Sequence, residues 1–117
     1  MFDLRQLTFV MDSIPALISY IDSEGIYRYA NRTYEDWFRK SMESVVGRSF
    51  KEVLGPEKYQ IVEEKVKKAL AGEIVEYEAF VHYEGGDKHV RANYIPDIDP
   101  STDEVKGFIV LIHDITA

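Results

Sequence analysis

Residues 107–116 read GFIVLIHDIT, and the part from residue 108 to residue 115 is almost continuously apolar. A run of this kind is typical of a strand buried in the centre of a sheet. Two further segments, residues 74–83 and 89–95, alternate apolar with polar side chains, as half-buried strands do. The last third of the chain is therefore predicted to be all strand.

The two alternating segments are joined by EGGD, residues 84–87, in which Gly85-Gly86 permits a tight hairpin turn. If this four-residue loop is symmetric, the register follows from it. One face then pairs Tyr77 with Tyr94, Ala79 with Ala92 and Val81 with Val90, and the other pairs Glu78 with Asn93, Phe80 with Arg91 and His82 with His89. We expect the first face to pack inward.

The longest predicted helix covers residues 57–70, because Pro56 suits the first helical position and Gly72 suits the position after the end. Val62 and Val66 lie on its apolar stripe. A shorter helix before it begins at the capping box SFKE, residues 49–52.

Upstream, residues 16–21 and 26–30 are β-rich runs around DSEG, residues 22–25, a turn in which Asp accepts backbone N–H bonds and Gly supplies positive φ. They predict a β-hairpin. Asn31 is the predicted N-cap of the following short helix, which gathers aromatic side chains on one side: Tyr34, Trp37 and Phe38.

The chain begins with an amphipathic helix over residues 1–15, whose apolar stripe is Leu4, Leu7, Met11 and Ile14. Three further apolar side chains lie off that stripe: Phe2, Phe9 and Val10. We expect them to form a second contact surface, and a symmetric homodimer is the commonest way to cover one. The whole order predicts an α+β domain with a five-stranded antiparallel sheet and helices on one face.

This order of elements, with its residues, resembles the PAS family over essentially the whole chain. The hairpin IDSEG at 21–25, the helix start YANRTYEDWF at 29–38, VVGR at 45–48, ALAGE at 69–73 and the final strand with its Asp-Ile-Thr ending at 114–116 are each similar to family motifs. One departure is Arg39, where many relatives have Gly, so the geometry of that turn is open.

The resemblance implies a sensor module, residues 16–117, that binds a small ligand and relays a conformational signal to an effector such as a histidine kinase or a cyclic-dinucleotide enzyme. Asp114 and Thr116 at the end of the last strand are the expected relay residues. The alternative is a ligand-free PAS module that works by dimerisation or protein interaction. No nucleophile with an adjacent base is evident, so no enzyme activity is predicted.

PAS relatives hold their ligands between the inner sheet face and the long helix. The residues expected to line such a pocket here are Tyr34, Trp37, Phe38, Val62, Val66, Tyr77, Ala79, Ala92 and Tyr94. Ala79 opposite Ala92 would leave room for a ligand, and the tyrosine hydroxyls suit a mostly apolar molecule with a polar end. A fully packed core is the alternative reading of the same residues.

The absence of cysteine argues against a cysteinyl flavin, and the absence of histidine from residues 57–70 argues against haem held by the long helix. Non-covalent flavin remains open by composition. His82 beside His89 would make only a weak metal pair, so no metal site is predicted. A net charge of −7 disfavours nucleic acid, and no apolar run reaches the roughly 20 residues of a membrane span, so a cytoplasmic location is expected.

Overall fold

The computed structural model describes residues 3–116. Its helices are α1 (Leu4–Ser13), α2 (Thr33–Phe38), α3 (Phe50–Leu54) and α4 (Pro56–Leu70), with a 3₁₀ turn at Met42–Ser44. Its strands are β1 (Ala16–Asp22), β2 (Tyr27–Ala30), β3 (Val75–Tyr83), β4 (Gly86–Ile98) and β5 (Val105–Asp114). They form one antiparallel sheet in the order β2-β1-β5-β4-β3. The predicted α+β class with its five-stranded sheet is confirmed, and the apolar run GFIVLIHD lies in the central strand.

The core lies on one face of the sheet, which is called the inner face below. There β1 and β5 contribute the fully buried side chains of Leu17, Ile21, Phe108 and Val110. Helices α2, α3 and α4 cover this face, and Val66 and Ala69 are buried from α4. The first helix, α1, lies over the opposite, outer face, where Leu7 and Met11 approach Ile18 and Ile109.

A β-bulge in β2 changes which side chains face inward. Tyr29 pairs with Tyr20, but Tyr27 pairs with Ile21, so Arg28 is an extra residue on β2. Without it, residues two apart would share a face. As a result Tyr27 lies on the inner face and Tyr29 on the outer face.

The predicted register of the β3–β4 hairpin is wrong by two residues. Ala79 pairs with Val90, Tyr77 with Ala92 and His82 with Asp87. The loop is shorter than expected because Tyr83 pairs with Gly86 and leaves only Glu84 and Gly85 in the turn. A shift of two keeps every side chain on its face, so the inward assignment of Tyr77, Ala79, Ala92 and Tyr94 survives.

Gly85 lets the hairpin turn approach α2 closely. Its N–H donates to the Trp37 carbonyl at 2.9 Å, and a Cβ there would collide with the carbonyl oxygen of Asp36. The hairpin turn is therefore docked on the end of α2. At Arg39, which follows α2, φ is 55° and ψ is 40°, so this position adopts the left-handed conformation that a glycine would adopt freely.

The expected capping of the helices is borne out in part. Ser49 caps α3 by accepting from the Glu52 N–H at 3.0 Å. Asn31, in contrast, is not the N-cap of α2, since Arg32 holds that position. The Asn31 side chain is fully buried instead and joins β1 to α1: it accepts from the Ile18 N–H at 3.0 Å and donates to the carbonyls of Met11 and Ala16 at 2.9 and 2.8 Å.

Candidate functional site

A cavity of about 200 Å³ lies between the inner sheet face and α3 and α4. The strand side is formed by Tyr77, Ala79 and Ala92 with their neighbours, and the helix side includes Val62. Ile61 also lines it and is 74% exposed, so the cavity reaches the surface between α4 and the edge strand β3.

Aromatic rings make up a large part of the cavity wall. Tyr27 stands edge-on to Tyr34 and Phe50, with ring centroids 5.8 and 5.6 Å apart. Tyr94 lies edge-on to Tyr77 at 5.6 Å. Further aromatic lining comes from Phe38 and Tyr83, whose centroids are 5.3 Å apart. Such edge-to-face contacts stabilise the wall beyond simple burial and hold the rings in fixed orientations.

Tyrosine hydroxyls supply the polar atoms of this wall. The hydroxyls of Tyr77 and Tyr94 are hydrogen-bonded to each other at 2.8 Å, and the Tyr34 hydroxyl donates to Ser19 Oγ at 2.9 Å. The Tyr27 hydroxyl is buried and has no hydrogen-bond partner among residues 3–116. This hydroxyl has less than 1 Å² of accessible surface, so it is packed behind the cavity wall.

Burial keeps these phenols protonated. It raises the pKa of Tyr34 to about 12 and the pKa of Tyr77 above its ordinary value. It raises the pKa of Tyr27 and Tyr94 well above 10, and neighbouring phenols add to the effect. At neutral pH every one of these hydroxyls is a hydrogen-bond donor rather than a phenolate.

Lysines stand at the cavity's opening. Lys58 Nζ, at the edge of the lining, donates to the His82 carbonyl at 2.6 Å. Lys65 Nζ lies 4.6 Å from the ring centroid of Tyr77. Among the residues that line the cavity there is no carboxylate.

Seven of the nine residues that the sequence predicted for this pocket are brought together by the fold: Tyr34, Phe38, Val62, Tyr77, Ala79, Ala92 and Tyr94. Trp37 and Val66 are buried nearby but do not line the cavity. The predicted Ala79–Ala92 pair does not exist, because Ala92 lies opposite Tyr77. Sequence analysis missed Tyr27, Phe50 and Tyr83 as lining residues. Of these, only Tyr83 could have been identified, because it continues the alternation of inward side chains along its strand.

A second gap, of about 300 Å³, lies between α1 and the outer sheet face. Leu4 and Leu7 line it from the helix, with exposures of 79% and 46%. Phe9, on the other side of α1, is 73% exposed, and Val10 is 37% exposed. The predicted interface residue Phe2 lies outside the described residues. Helix α1 therefore leaves apolar surface open on both sides.

The two predicted relay residues are tied to β4. The Thr116 N–H donates to Asp114 Oδ1 at 2.9 Å, and Thr116 Oγ1 accepts from the His89 N–H at 2.9 Å. Lys88 Nζ lies 3.2 Å from Asp114 Oδ2 and 4.8 Å from the ring centroid of Trp37. Hydrogen bonds from Thr116, with help from Lys88, hold the pKa of Asp114 below its ordinary value.

The histidines do not form the cross-strand pair that the sequence suggested. His82 Nδ1 lies 2.8 Å from Asp87 Oδ1, and His89 stacks on Phe80 with centroids 4.3 Å apart. Among residues 3–116, no three His, Cys, Asp or Glu side chains are grouped for a metal ion. Within the same residues, no helix has the length and apolar character needed to cross a membrane.

Comparison with known proteins places this geometry in a family. The family model described as "PAS fold" matches residues 11–117, so the chain belongs to the PAS fold family. Its members are generally sensory and signalling modules rather than catalysts. A search of curated proteins finds no match.

Solved structures share the fold. A PAS domain from Colwellia psychrerythraea superposes with a TM-score of 0.75 at 19% identity, over 97% of each chain. The PAS domain of the histidine kinase ThkA gives 0.66 at 21% identity, over 85% of this chain and 98% of that one. VqmA bound to DPO gives 0.78 at 18% identity, over 97% of this chain and 58% of that one.

Proposed function

We propose that this PAS domain is a sensor that binds a small molecule in the inner cavity and relays binding to a downstream effector. The observation that carries the proposal is the cavity itself, whose mostly apolar lining includes the hydrogen-bonded hydroxyls of Tyr77 and Tyr94. Apolar walls with a few fixed polar groups are typical of small-molecule sites. The structure of VqmA bound to DPO, which has the same fold, is in keeping with a ligand here.

The relay we propose runs from the cavity to the end of β5. Phe38 lines the cavity and contacts Tyr83, whose ring also lies 5.2 Å from that of Trp37. Trp37 in turn contacts Lys88, which pairs with Asp114. A ligand that moves Phe38 would thereby change the restraint on Asp114 and Thr116, provided that it binds the two arrangements with different affinity. A histidine kinase, as in ThkA, or a cyclic-dinucleotide enzyme suits the output side.

Native mass spectrometry of the protein purified from cells tests the ligand directly. We expect a bound small molecule that is lost on denaturation, and an absorption spectrum without haem or flavin bands. The bound molecule should raise the melting temperature when it is added back. Ala92→Leu, which fills the cavity, should abolish that rise, and Ile74→Lys, at an exposed site outside the cavity, should keep it. An empty protein that no cell extract stabilises would refute the sensor.

The relay can be tested separately by NMR, from the amide resonances of residues 113–116. Adding the identified ligand should shift the Thr116 resonance, and Lys88→Met should reduce the shift without loss of affinity. Lys106→Met removes an exposed pair with Glu104 at 3.3 Å and is the matched control. An unchanged ligand response in Lys88→Met would contradict this route.

The second candidate function is dimerisation through α1, which the exposed Leu4 and Phe9 favour. A second copy would bury the apolar surface on both sides of α1, and a two-fold dimer would align two effectors. Sedimentation velocity at tens of micromolar should show a dimer, and Phe9→Glu with Val10→Lys should give a folded monomer. Ile74→Lys, equally exposed at 74%, is the control and should remain dimeric. A monomeric unmodified protein would contradict this candidate.

A further inference from the structure

A lysine gives the inner cavity its charge. Lys58 is the third residue of α4, and the lining contains no arginine and no carboxylate. The other lining side chains are mainly apolar or aromatic, with His82 beside Lys58. The Lys58 ammonium therefore gives one part of a largely apolar cavity a positive potential.

The Lys58 ammonium is held at the cavity but keeps hydrogen-bond donors to spare. Its Nζ donates to the His82 carbonyl at 2.6 Å, which links α4 to the edge strand β3. An ammonium has three N–H donors, so this bond leaves two of them for a ligand. Among residues 3–116, no carboxylate oxygen lies within 4.0 Å of Lys58 Nζ.

The sequence of α4 explains why its own carboxylates do not reach Lys58. Side chains three and four positions apart are neighbours on a helix. At these distances Lys58 has no acidic residue, but only Leu54, Gly55, Ile61 and Val62. Lys67, in contrast, has Glu63 and Glu64 at these distances and lies 3.5 Å from the Glu64 carboxylate. The charge that faces the cavity is thus left without a partner on its own helix.

The start of α4 adds to the positive potential at Lys58. The N-terminus of a helix carries the positive end of its dipole, and no side chain caps α4 at Gly55. Glu57 is the acidic residue of this first turn, and its side chain is exposed and does not line the cavity. A lysine in a first turn is disfavoured by the dipole, so a bound anion would relieve a cost that Lys58 imposes on α4.

We propose that the ligand is an amphipathic anion, whose apolar part lies in the inner cavity and whose single anionic group binds Lys58. This inference rests on the proposed sensor function and names the ligand class of the same cavity. Lys58 is only half-buried, so the anionic group keeps part of its hydration and avoids the cost of a deeply buried ion. A cationic ligand would be repelled by Lys58 and would find no carboxylate in the lining.

Four probes with short alkyl chains test the class. Hexanoate carries a carboxylate, hexyl phosphate carries a phosphate, hexanamide is neutral and hexylammonium is cationic. Their dissociation constants are measured from the methyl resonances of Ala79, Ala92 and Val62, which line the cavity. We expect both anions to bind more tightly than hexanamide, and hexylammonium to bind most weakly. The tighter of the two anions shows whether a carboxylate or a phosphate fits Lys58 better.

Lys58→Met separates the charge from the apolar contacts. It should weaken hexanoate binding about fivefold or more and leave hexanamide unchanged, so that the two probes bind alike. Lys58→Arg keeps the charge and should keep the preference for the anion. Lys67→Met removes the same charge from an exposed part of α4 outside the cavity and is the matched control.

Salt gives a measurement that needs no variant. Added sodium chloride should weaken hexanoate binding to the unmodified protein and leave hexanamide binding unchanged, because ions screen the attraction to Lys58. Near-ultraviolet circular dichroism verifies that each variant is folded before its binding is measured.

The outcomes distinguish the ligand class from the sensor. Equal binding of hexanoate and hexanamide to the unmodified protein overturns the anionic class, and so does unchanged hexanoate binding in Lys58→Met. Either result leaves a pocket that binds small molecules, so the sensor survives. If no probe shifts the cavity resonances at millimolar concentration, the class is also overturned. The sensor function then fails only if native mass spectrometry finds no bound molecule either.

Discussion

The two faces of the sheet carry side chains from the same strands but have different environments. On the inner face, α2, α3 and α4 cover a cavity that opens to the surface beside β3 and is lined by aromatic rings and tyrosine hydroxyls. On the outer face, α1 covers a gap loosely, and none of its described residues is buried. Tyr27 and Tyr29, two residues apart on β2, are separated onto these two faces by the bulge at Arg28.

This difference indicates what each face is suited to bind. A cavity lined by aromatic rings and tyrosine hydroxyls selects a molecule by its size and by the positions of its polar atoms. An open apolar strip on a helix has no such hydroxyls and suits a flat partner surface of larger area. We therefore expect changes on the inner face to alter stability and ligand binding, and changes on α1 to alter association alone.

Alkaline pH should have the largest effect, and it acts through the inner face. The pKa of Tyr34 is raised to about 12 and that of Tyr94 lies well above 10. A raised pKa means that the native state holds its proton more tightly than the unfolded chain. The contribution of these protonated phenols to the free energy of unfolding is fully present below pH 10. It is lost as pH rises from 10 towards and beyond 12. Phenolate absorbance at 295 nm should appear together with the loss of near-ultraviolet circular dichroism.

Early ionisation of these phenols in a protein that keeps its circular dichroism would contradict the enclosed inner face. Replacing buried Tyr34 by Phe gives the control, since one phenol fewer should then ionise in the unfolding transition.

Asn31→Leu should have the next largest effect, because Asn31 connects the region of α1 to the sheet. It removes three hydrogen bonds, to the Ile18 N–H and the carbonyls of Met11 and Ala16, and leaves buried backbone groups without partners. We expect a loss of about 3 kcal/mol or more in the free energy of unfolding, measured in urea. Asn31→Asp keeps the acceptor for Ile18 and should lose less stability at a pH where Asp is protonated. Equal losses in both variants would contradict the assigned bonds.

A pair of alanines tests whether the inner cavity is space or packed core. Ala92 and Ala69 are both buried, but only Ala92 lines the cavity. Ala69→Leu should overpack the core and cost about 1–3 kcal/mol, while Ala92→Leu should cost clearly less because it fills empty volume. Chemical denaturation of both variants measures the difference. Equal costs would mean that the cavity is absent in solution.

Phe9→Ala should have the smallest effect on the stability of the monomer. Its side chain is 73% exposed on α1, so we expect a change within about 0.5 kcal/mol. Phe50→Ala, which opens the aromatic wall, should cost about 3–5 kcal/mol and is the inner-face counterpart. The measurement is made at a concentration at which sedimentation velocity shows a monomer. A large loss for Phe9→Ala would show that α1 is part of the folded core.

Features encoded by local signals could be predicted from the sequence. The apolar run of β5, Pro56 at the start of α4, and the DSEG turn at residues 22–25 are each set by a few adjacent residues. The Asp22 carboxylate accepts from the N–H groups of Glu24 and Ile26, as the turn predicted. Alternation also assigned Tyr77, Ala79, Ala92 and Tyr94 to the inner face, where they line one cavity, because it fixes the face of a strand even when its register is shifted by two.

Features set by tertiary contacts could not be predicted. The hairpin register depends on Gly85 docking against the Asp36 and Trp37 carbonyls, which are distant in sequence. The residue type and position of Asn31 suit an N-cap, but its side chain instead forms hydrogen bonds with backbone groups of β1 and α1. Sequence analysis missed Tyr27 because no residue type in β2 indicates the bulge at Arg28. Plain alternation would place Tyr27 and Tyr29 on the same face of the sheet.

The extra residue in β2 also has a consequence for how this domain can change in evolution. Loss of the single codon for Arg28 would make Tyr27 and Tyr29 adjacent, so plain alternation would return with Tyr27 still inward and Tyr29 still outward. The strand can therefore lose this one residue without moving a side chain from one face of the sheet to the other. Deletion of a residue from a regular stretch of strand would instead turn every side chain on one side of it to the opposite face. The bulge at Arg28 is accordingly a position at which a change of one residue in length is tolerated.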